Sequence, residues 1–182
     1  MKEAPASPGR LTGIVLDLCR FRRGPQDFPH SQGLLSALLV ASVLVDLVSG
    51  NLLELKDPLL ARSLMSIVVL LALSWIALAI RGLSHRYLQT ASALVACSIA
   101  FSLLILPLAL LFGDPQGAEV VLSPLQRLIV WLGLATLVWK IAVDAHVVRQ
   151  AIDAPFWLGL LLALSWAIAD FALSRVLFSD AA

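Results

Sequence analysis

The sequence predicts an all-α membrane protein, a polytopic bundle of five transmembrane helices preceded by an amphipathic interfacial helix. Three observations support this fold class. Of the 182 residues, 60% are hydrophobic and only 14% are charged, whereas about a quarter are charged in an average soluble domain. Five apolar segments approach or exceed the roughly 18–20 residues that cross a bilayer. The few charged residues inside these segments fall on single helix faces, where neighbouring helices can shield them.

Residues 1–32 form the first predicted region, a cytoplasmic tail with an amphipathic helix and a proline-rich linker. Apolar residues recur at helical spacing between Arg10 and Arg23, namely Leu11, Ile14, Val15 and Leu18. We expect this helix to lie in the membrane interface, where its arginines meet anionic lipid headgroups. The alternative is a helix that packs under the bundle.

The linker that follows contains two prolines within residues 24–30, which end the helix. We expect this region to contact lipid headgroups or a protein partner. The residues that we assign to this contact are Arg20, Arg22, Arg23, Pro25, Asp27 and Phe28.

The second region, residues 33–178, contains the five predicted spans. They are Gly33–Gly50, Pro58–Arg81, Gln89–Phe112, Pro124–Val148 and Pro155–Phe178. Prolines begin three of the spans, where a missing amide hydrogen costs nothing. Pro107 falls inside the third span, and we expect it to kink that helix.

The distribution of cations predicts the orientation, since loops rich in lysine and arginine stay in the cytoplasm. With five spans, one side holds Lys2, Arg10, Arg20, Arg22, Arg23, Arg81, Arg86 and Arg149, and the other holds Lys56, Arg62, Arg127 and Arg175. This predicts a cytoplasmic N-terminus and an external C-terminus. We see no secretory signal peptide and expect the first span to be retained.

Ionisable residues inside the spans are the strongest candidates for a functional site. A charge in hydrocarbon costs about 3 kcal/mol or more, so it has to face protein or water. We expect Lys140 to pair with Asp170 or Asp144, and Asp46 to pair with Arg62 or Arg175. These pairs either fix the register of the helices, which we favour, or form an ion or proton path.

Other chemistries have little support in the sequence. His30, His85 and His146 show no metal-ligand spacing, so we expect neither a metal nor a cofactor. Cys19 and Cys97 are expected at different depths, which disfavours a disulfide. No motif for nucleophilic catalysis is present, and we expect no enzymatic activity. A net charge of +1 argues against a nucleic-acid partner.

Two stretches resemble a known family. They are Leu18-Cys-Arg-Phe-Arg-Arg-Gly-Pro-Gln-Asp-Phe-Pro29 and Arg86-Tyr-Leu-Gln-Thr-Ala-Ser-Ala93. Together with the five-span layout, they are similar to small bacterial inner-membrane proteins grouped with the Yip-domain family. The resemblance implies a five-span fold in the bacterial inner membrane. Eukaryotic members are linked to membrane traffic and small GTPases, but their Asp-Leu-Tyr-Gly-Pro type motif is absent here.

These observations lead to two hypotheses about function. The first is a non-enzymatic membrane-organising or partner-binding subunit that contacts anionic lipid headgroups and an unidentified membrane or cytoplasmic protein. The alternative is a small transporter or an ion- or proton-conducting subunit that uses Lys140, Asp144 and Asp170.

Overall fold

The computed structural model describes residues 8–55, 58–112 and 123–178, and in these ranges the chain is helical with no strand. The helices are α1 (Pro8–Cys19), α2 (Gln32–Leu52), α3 (Leu59–Ile80), α4 (Tyr87–Phe112), α5 (Pro124–Ala151) and α6 (Phe156–Phe178). Short 3₁₀ turns occur at Pro25–Asp27 and Ser84–Arg86. The predicted all-α class is therefore confirmed. Most of the predicted tail (residues 1–7), Lys56 and nearly all of the long loop (residues 113–122) lie outside the described residues.

Five helices, α2 to α6, are long and apolar enough to cross a membrane, with mean hydropathies of 1.8–2.6 in their most apolar windows. Only 17–28% of each of these windows is buried inside the protein. Large apolar side chains on the outer surface are widely exposed, such as Ile80 at 79% and Val176 at 75%. Such surfaces are stable only in contact with lipid. The chain is therefore a multi-pass integral membrane protein.

The ends of the spans agree with the predicted ends to within about three residues. Two serines cap their helices as N-caps do. The Ser31 hydroxyl accepts a hydrogen bond from the Leu34 amide at 3.3 Å, and the Ser123 hydroxyl accepts one from the Gln126 amide at 3.2 Å. Pro107 lies inside α4, as expected, and the kink that we expect there stays a prediction.

Helices α4 and α5 form the centre of the bundle. α5 packs between α4 and α6, while α2 packs against α4 and α3, and α3 also contacts α6. The antiparallel hairpin of α5 and α6 depends on small residues. Gly159 lies so close to α5 that a Cβ atom there would overlap the Ala145 carbonyl oxygen and lie 2.9 Å from the Arg149 Cβ atom. The backbones of the two helices are thus in close contact at this position.

The two ends of the bundle are packed differently. We call the end that carries α1 and the loops at 81–86 and 152–155 the α1 end, and the end between α2 and α3 the far end. At the α1 end, consecutive residues of α4 (Thr90–Cys97) and α5 (Val143–Val148) are buried. Towards the far end, the interior contains cavities.

The structure shows α1 packed against the bundle, whereas its location in the membrane interface stays a prediction. Ile14 and Leu18 are buried in the main core, where α1 packs against α4 and α5. The apolar face of α1 is therefore covered by protein, which was the alternative interpretation. The helix also ends at Cys19, four residues earlier than expected, and Phe21 adopts a left-handed backbone with φ of 60°.

We predict that Gly159→Ala lowers the free energy of unfolding by about 1–3 kcal/mol, because the new methyl group pushes α6 away from the Ala145 carbonyl. Gly133→Ala is the matched control, since no atom lies within 4 Å of a Cβ atom there. This control should be neutral or stabilising by up to about 1 kcal/mol. Thermal unfolding in detergent measures both changes, and equal behaviour of the two variants would contradict the close packing of α5 and α6.

Candidate functional site

A polar cavity of about 360 Å³ lies inside the bundle of spans. Every span contributes at least one polar side chain to its wall. The carboxyl groups are those of Asp46, Asp144 and Asp170, the ammonium group is that of Lys140, and the hydroxyl groups are those of Ser42, Ser66, Ser98 and Ser102. We call this space the central cavity. Polar groups of this kind inside a membrane protein are expensive unless they contact one another, water or a ligand.

A second cavity of about 310 Å³ adjoins the first and extends towards the far end. The two cavities share four lining residues, which are Asp46, Ser66, Ser102 and Asp170. The outer cavity also contacts Arg62, Ser63 and the α2–α3 connection at Leu53 and Leu55. Polar side chains therefore line a continuous series of cavities from Lys140 to the far end.

Lys140 and Asp144 form an ion pair in the central cavity. Their Nζ and Oδ2 atoms are 2.5 Å apart, one helical turn along α5. The Asp144 side chain is 12% exposed and that of Lys140 is 30% exposed. Of the two partners expected for Lys140, the structure shows the ion pair with Asp144, while Asp170 lines the same cavity. The Oδ1 atoms of Asp144 and Asp170 are both buried without a hydrogen-bond partner among the described residues.

Asp46 has a different partner from the one expected. Its Oδ2 atom accepts a hydrogen bond of 2.6 Å from the Ser63 hydroxyl. Ser63 is 5% exposed, and Arg62, one residue earlier on α3, lines the outer cavity beside Asp46. Arg175, the other expected partner, stacks on the Phe171 ring at 5.6 Å and does not line either cavity.

At the α1 end, the segment from α1 to the linker covers the packed half of the bundle. Three side chains of α4 and α5 donate hydrogen bonds to backbone carbonyl groups of this segment. Trp139 Nε1 donates to the Cys19 carbonyl at 2.9 Å, His146 Nε2 to the Arg23 carbonyl at 3.0 Å, and Gln89 Nε2 to the Phe28 carbonyl at 2.8 Å. We call residues 8–28 the N-terminal cover.

Of the six residues predicted to contact lipid or a partner, four are exposed and two are buried. Arg20, Arg22 and Arg23 are exposed, although Arg23 pairs with Asp17 at 2.9 Å. Asp27 is also exposed and accepts a hydrogen bond from the Gly24 amide at 3.2 Å. Pro25 and Phe28 are buried, so these two side chains belong to the core and not to a surface for lipid or a partner. Arg20, Arg22 and Arg23 therefore remain as the cationic part of this surface.

The structure brings the two cysteines together, which corrects the expectation that they lie at different depths. Both are buried free thiols in one hydrophobic core. The neighbouring Cys97 thiol lowers the pKa of Cys19 below its ordinary value, and burial opposes this effect. The cause is that α1 packs against α4 beside Cys97, a contact that the sequence did not predict.

The serines of the central cavity were not predicted from the sequence. The available signal was their spacing, since Ser42 and Asp46, like Ser98 and Ser102, are four residues apart and share a helix face with each other. From the sequence, Arg81 and Arg86 were used only to predict the orientation of the chain in the membrane. Both in fact donate hydrogen bonds to carbonyl groups at the C-terminal end of α5, and Arg86 also pairs with Asp153 at 2.8 Å.

Within the described ranges, no group of three or more histidine, cysteine, aspartate or glutamate side chains is arranged to hold a metal ion. No family model, curated protein or solved structure matches this chain. The resemblance to the Yip-domain family therefore stays a prediction from two short motifs. The function has to be inferred from the geometry of the cavities and of the N-terminal cover.

We predict that Lys140 and Asp144 are energetically coupled. Lys140→Met or Asp144→Asn alone should lower the free energy of unfolding by roughly 2–4 kcal/mol, because each leaves the other member of a pair inside the bundle without its partner. The double variant should lose at least about 1 kcal/mol less than the sum of the single losses. Unfolding in detergent gives all three values.

The matched control for this cycle is the more exposed pair Arg86–Asp153, whose side chains are 35% and 65% exposed. Its coupling energy should stay within about 1 kcal/mol. Strict additivity at Lys140 and Asp144 would show that the two side chains do not depend on each other.

Proposed function

We propose that this chain is a small transporter, or the conducting subunit of one, and that a polar solute or ion passes through the central cavity. The observation that carries this proposal is the wall of that cavity, to which all five spans contribute polar side chains. This was the alternative hypothesis from the sequence. The proposed role is non-enzymatic.

The volume of the cavity favours transport over a purely structural role. A pair that only fixes helix register needs its two members and close packing around them. Here Lys140 and Asp144 lie beside an opening of about 360 Å³, together with two further carboxyl groups. Empty space in a membrane protein forfeits dispersion contacts, and ionisable side chains there usually mark a path for ions or substrate.

The packing at the two ends suggests how access would be controlled. The cavities extend to the far end, whereas buried residues such as Leu94, Val143 and Val147 fill the bundle on the α1 side. The interior of the bundle is therefore less tightly filled towards the far end than around these residues. Transport would require the helices at the α1 end to separate, which includes a displacement of the N-terminal cover.

Flux through proteoliposomes tests this function. The pH or the concentration of NaCl, KCl or methylammonium chloride is changed stepwise on one side of the membrane. For at least one of these changes, we expect a current above that of protein-free liposomes. Asp144→Asn and Asp170→Asn should reduce that current at least tenfold, since each removes a carboxylate of the central cavity. Asp153→Asn is the control, because Asp153 lies in the loop at the α1 end. An inserted, folded protein with no current in any step would contradict the proposal.

A second candidate function rests on the surface of the N-terminal cover. Arg20, Arg22 and Arg23 are exposed there, beside the exposed apolar side chains of Leu16 and Phe21. Cations next to apolar groups are typical of a surface that contacts anionic headgroups. This supports a membrane-organising or partner-binding role. We also propose, from the loop cations and the two resembling motifs, a Yip-like protein of the bacterial inner membrane with its N-terminus in the cytoplasm and its C-terminus outside.

Stability in nanodiscs tests the lipid contact. We expect the wild-type protein to unfold at a higher temperature in phosphatidylglycerol than in phosphatidylcholine, and we expect replacement of Arg20, Arg22 and Arg23 by alanine to remove most of this difference. The physical reason is that each cation near an anionic surface contributes about 1 kcal/mol. Replacement of the same three residues by lysine keeps the charge and should keep the difference. An unchanged difference in the alanine variant would exclude this contact.

A further inference from the structure

We infer that the central cavity binds a small organic cation, an alkylammonium ion about as large as the aminobutyl group of lysine, with Asp170 as its principal partner. This inference rests on the proposed function, because it names the class of solute that the same cavity would carry. The argument has three steps, which concern charge, available acceptors and size.

The charge of the wall favours a cation. Three carboxyl groups line the central cavity, and Lys140 is the only cationic side chain among the residues of its wall. Even with Arg62, which lines the adjoining cavity beside Asp46, two cations cannot neutralise three carboxylates. In a low-dielectric interior, a further positive charge would be attracted strongly to the remaining acids.

The hydrogen bonds identify which acid is available. Asp46 already accepts a bond from Ser63, and one oxygen of Asp144 is held by Lys140. Asp170 lines the cavity, and its buried Oδ1 atom has no hydrogen-bond partner among the described residues. The Oδ1 atom of Asp144 is a second buried oxygen without a hydrogen-bond partner among the described residues. Asp144 as a whole is 8% exposed. Both unsatisfied oxygens therefore belong to acids of one cavity.

The size of the cavity favours an organic ion over a bare metal ion. A hard metal ion such as calcium needs about six to eight oxygen ligands within about 2.6 Å, and the described residues contain no such acidic cluster. A volume of about 360 Å³ falls within the range of about 300–1,000 Å³ found for small-molecule sites. Trp166 is on the same wall and offers an aromatic ring to a cation or its alkyl group.

Lys140 shows that this kind of ligand fits. Its aminobutyl side chain lines the central cavity and places an ammonium group against Asp144. A free alkylammonium ion has the same chemistry and would place its own ammonium group against Asp170. Lys140 then acts as a tethered competitor, since it holds one of the acids that a second ligand would otherwise use.

Calorimetric titration of the full chain in detergent micelles tests the inference. The probe is n-butylammonium chloride at pH 7, with 1-butanol as the uncharged analogue and NaCl as the inorganic cation. We expect saturable binding of butylammonium only. Asp170→Asn should weaken it at least tenfold, and Lys140→Ala should strengthen it at least tenfold, because that variant frees Asp144. Asp153→Asn, outside the cavity, should leave the affinity unchanged.

Ser102→Leu provides a second test if Asp170→Asn does not fold. Ser102 lines both cavities, so a leucine there fills the space while it retains Asp170, and binding should again fall at least tenfold. Three results would overturn the inference: no saturable heat with butylammonium, equal binding of 1-butanol, or equal binding of sodium ions.

The outcome can be separated from that of the flux experiment. Saturable binding of butylammonium without any current would support this site and contradict transport. A proton current without binding of butylammonium would support transport and overturn this site.

Discussion

The structure depends on one constraint, which is that ionisable side chains within the spans have to be shielded from lipid by other helices. Lys140 and Asp144 lie one turn apart on α5 and form an ion pair inside the bundle. An ionised group in hydrocarbon costs about 3 kcal/mol or more, so this side of α5 cannot face the acyl chains. The contacts of α5 with α4 and α6 follow from this, and α2 and α3 complete the wall around the same charges.

Along the axis of the bundle, the closely packed part that stabilises the fold and the part that contains the cavities lie at different ends. At the α1 end, small residues such as Ala91, Ala93 and Ala145 are fully buried, and Gly159 brings α6 against α5. This close packing of the helices recovers dispersion energy. Towards the far end, the interior contains the two cavities, and every span contributes polar side chains to the wall of the central cavity. The same five helices thus provide a closely packed part and a part that contains cavities.

The sequence predicted the spans well, because their length and hydropathy are set by the thickness of the bilayer. It also placed Lys140 and Asp144 together, since a separation of four residues fixes their distance on a helix. Contacts between helices were harder to predict from the sequence. An amphipathic α1 has the same pattern whether Ile14 and Leu18 meet lipid or α4, so neither its packing nor the proximity of Cys19 and Cys97 could be derived. Similarly, the partner of Asp46 depends on the rotation of α3, which hydropathy does not determine.

The attachment of the N-terminal cover bears on how the α1 end would open. Trp139, His146 and Gln89 all bind backbone carbonyl groups of the cover, so the cover is fixed by the side chains of α4 and α5. A hydrogen bond of this kind contributes about 0.5–1.5 kcal/mol net. Three of them amount to a few kcal/mol, within the range over which a ligand shifts a conformational equilibrium by differential binding. Because Trp139 immediately precedes Lys140 on α5, a displacement of this helix on cation binding would strain the hydrogen bond between Trp139 and the cover.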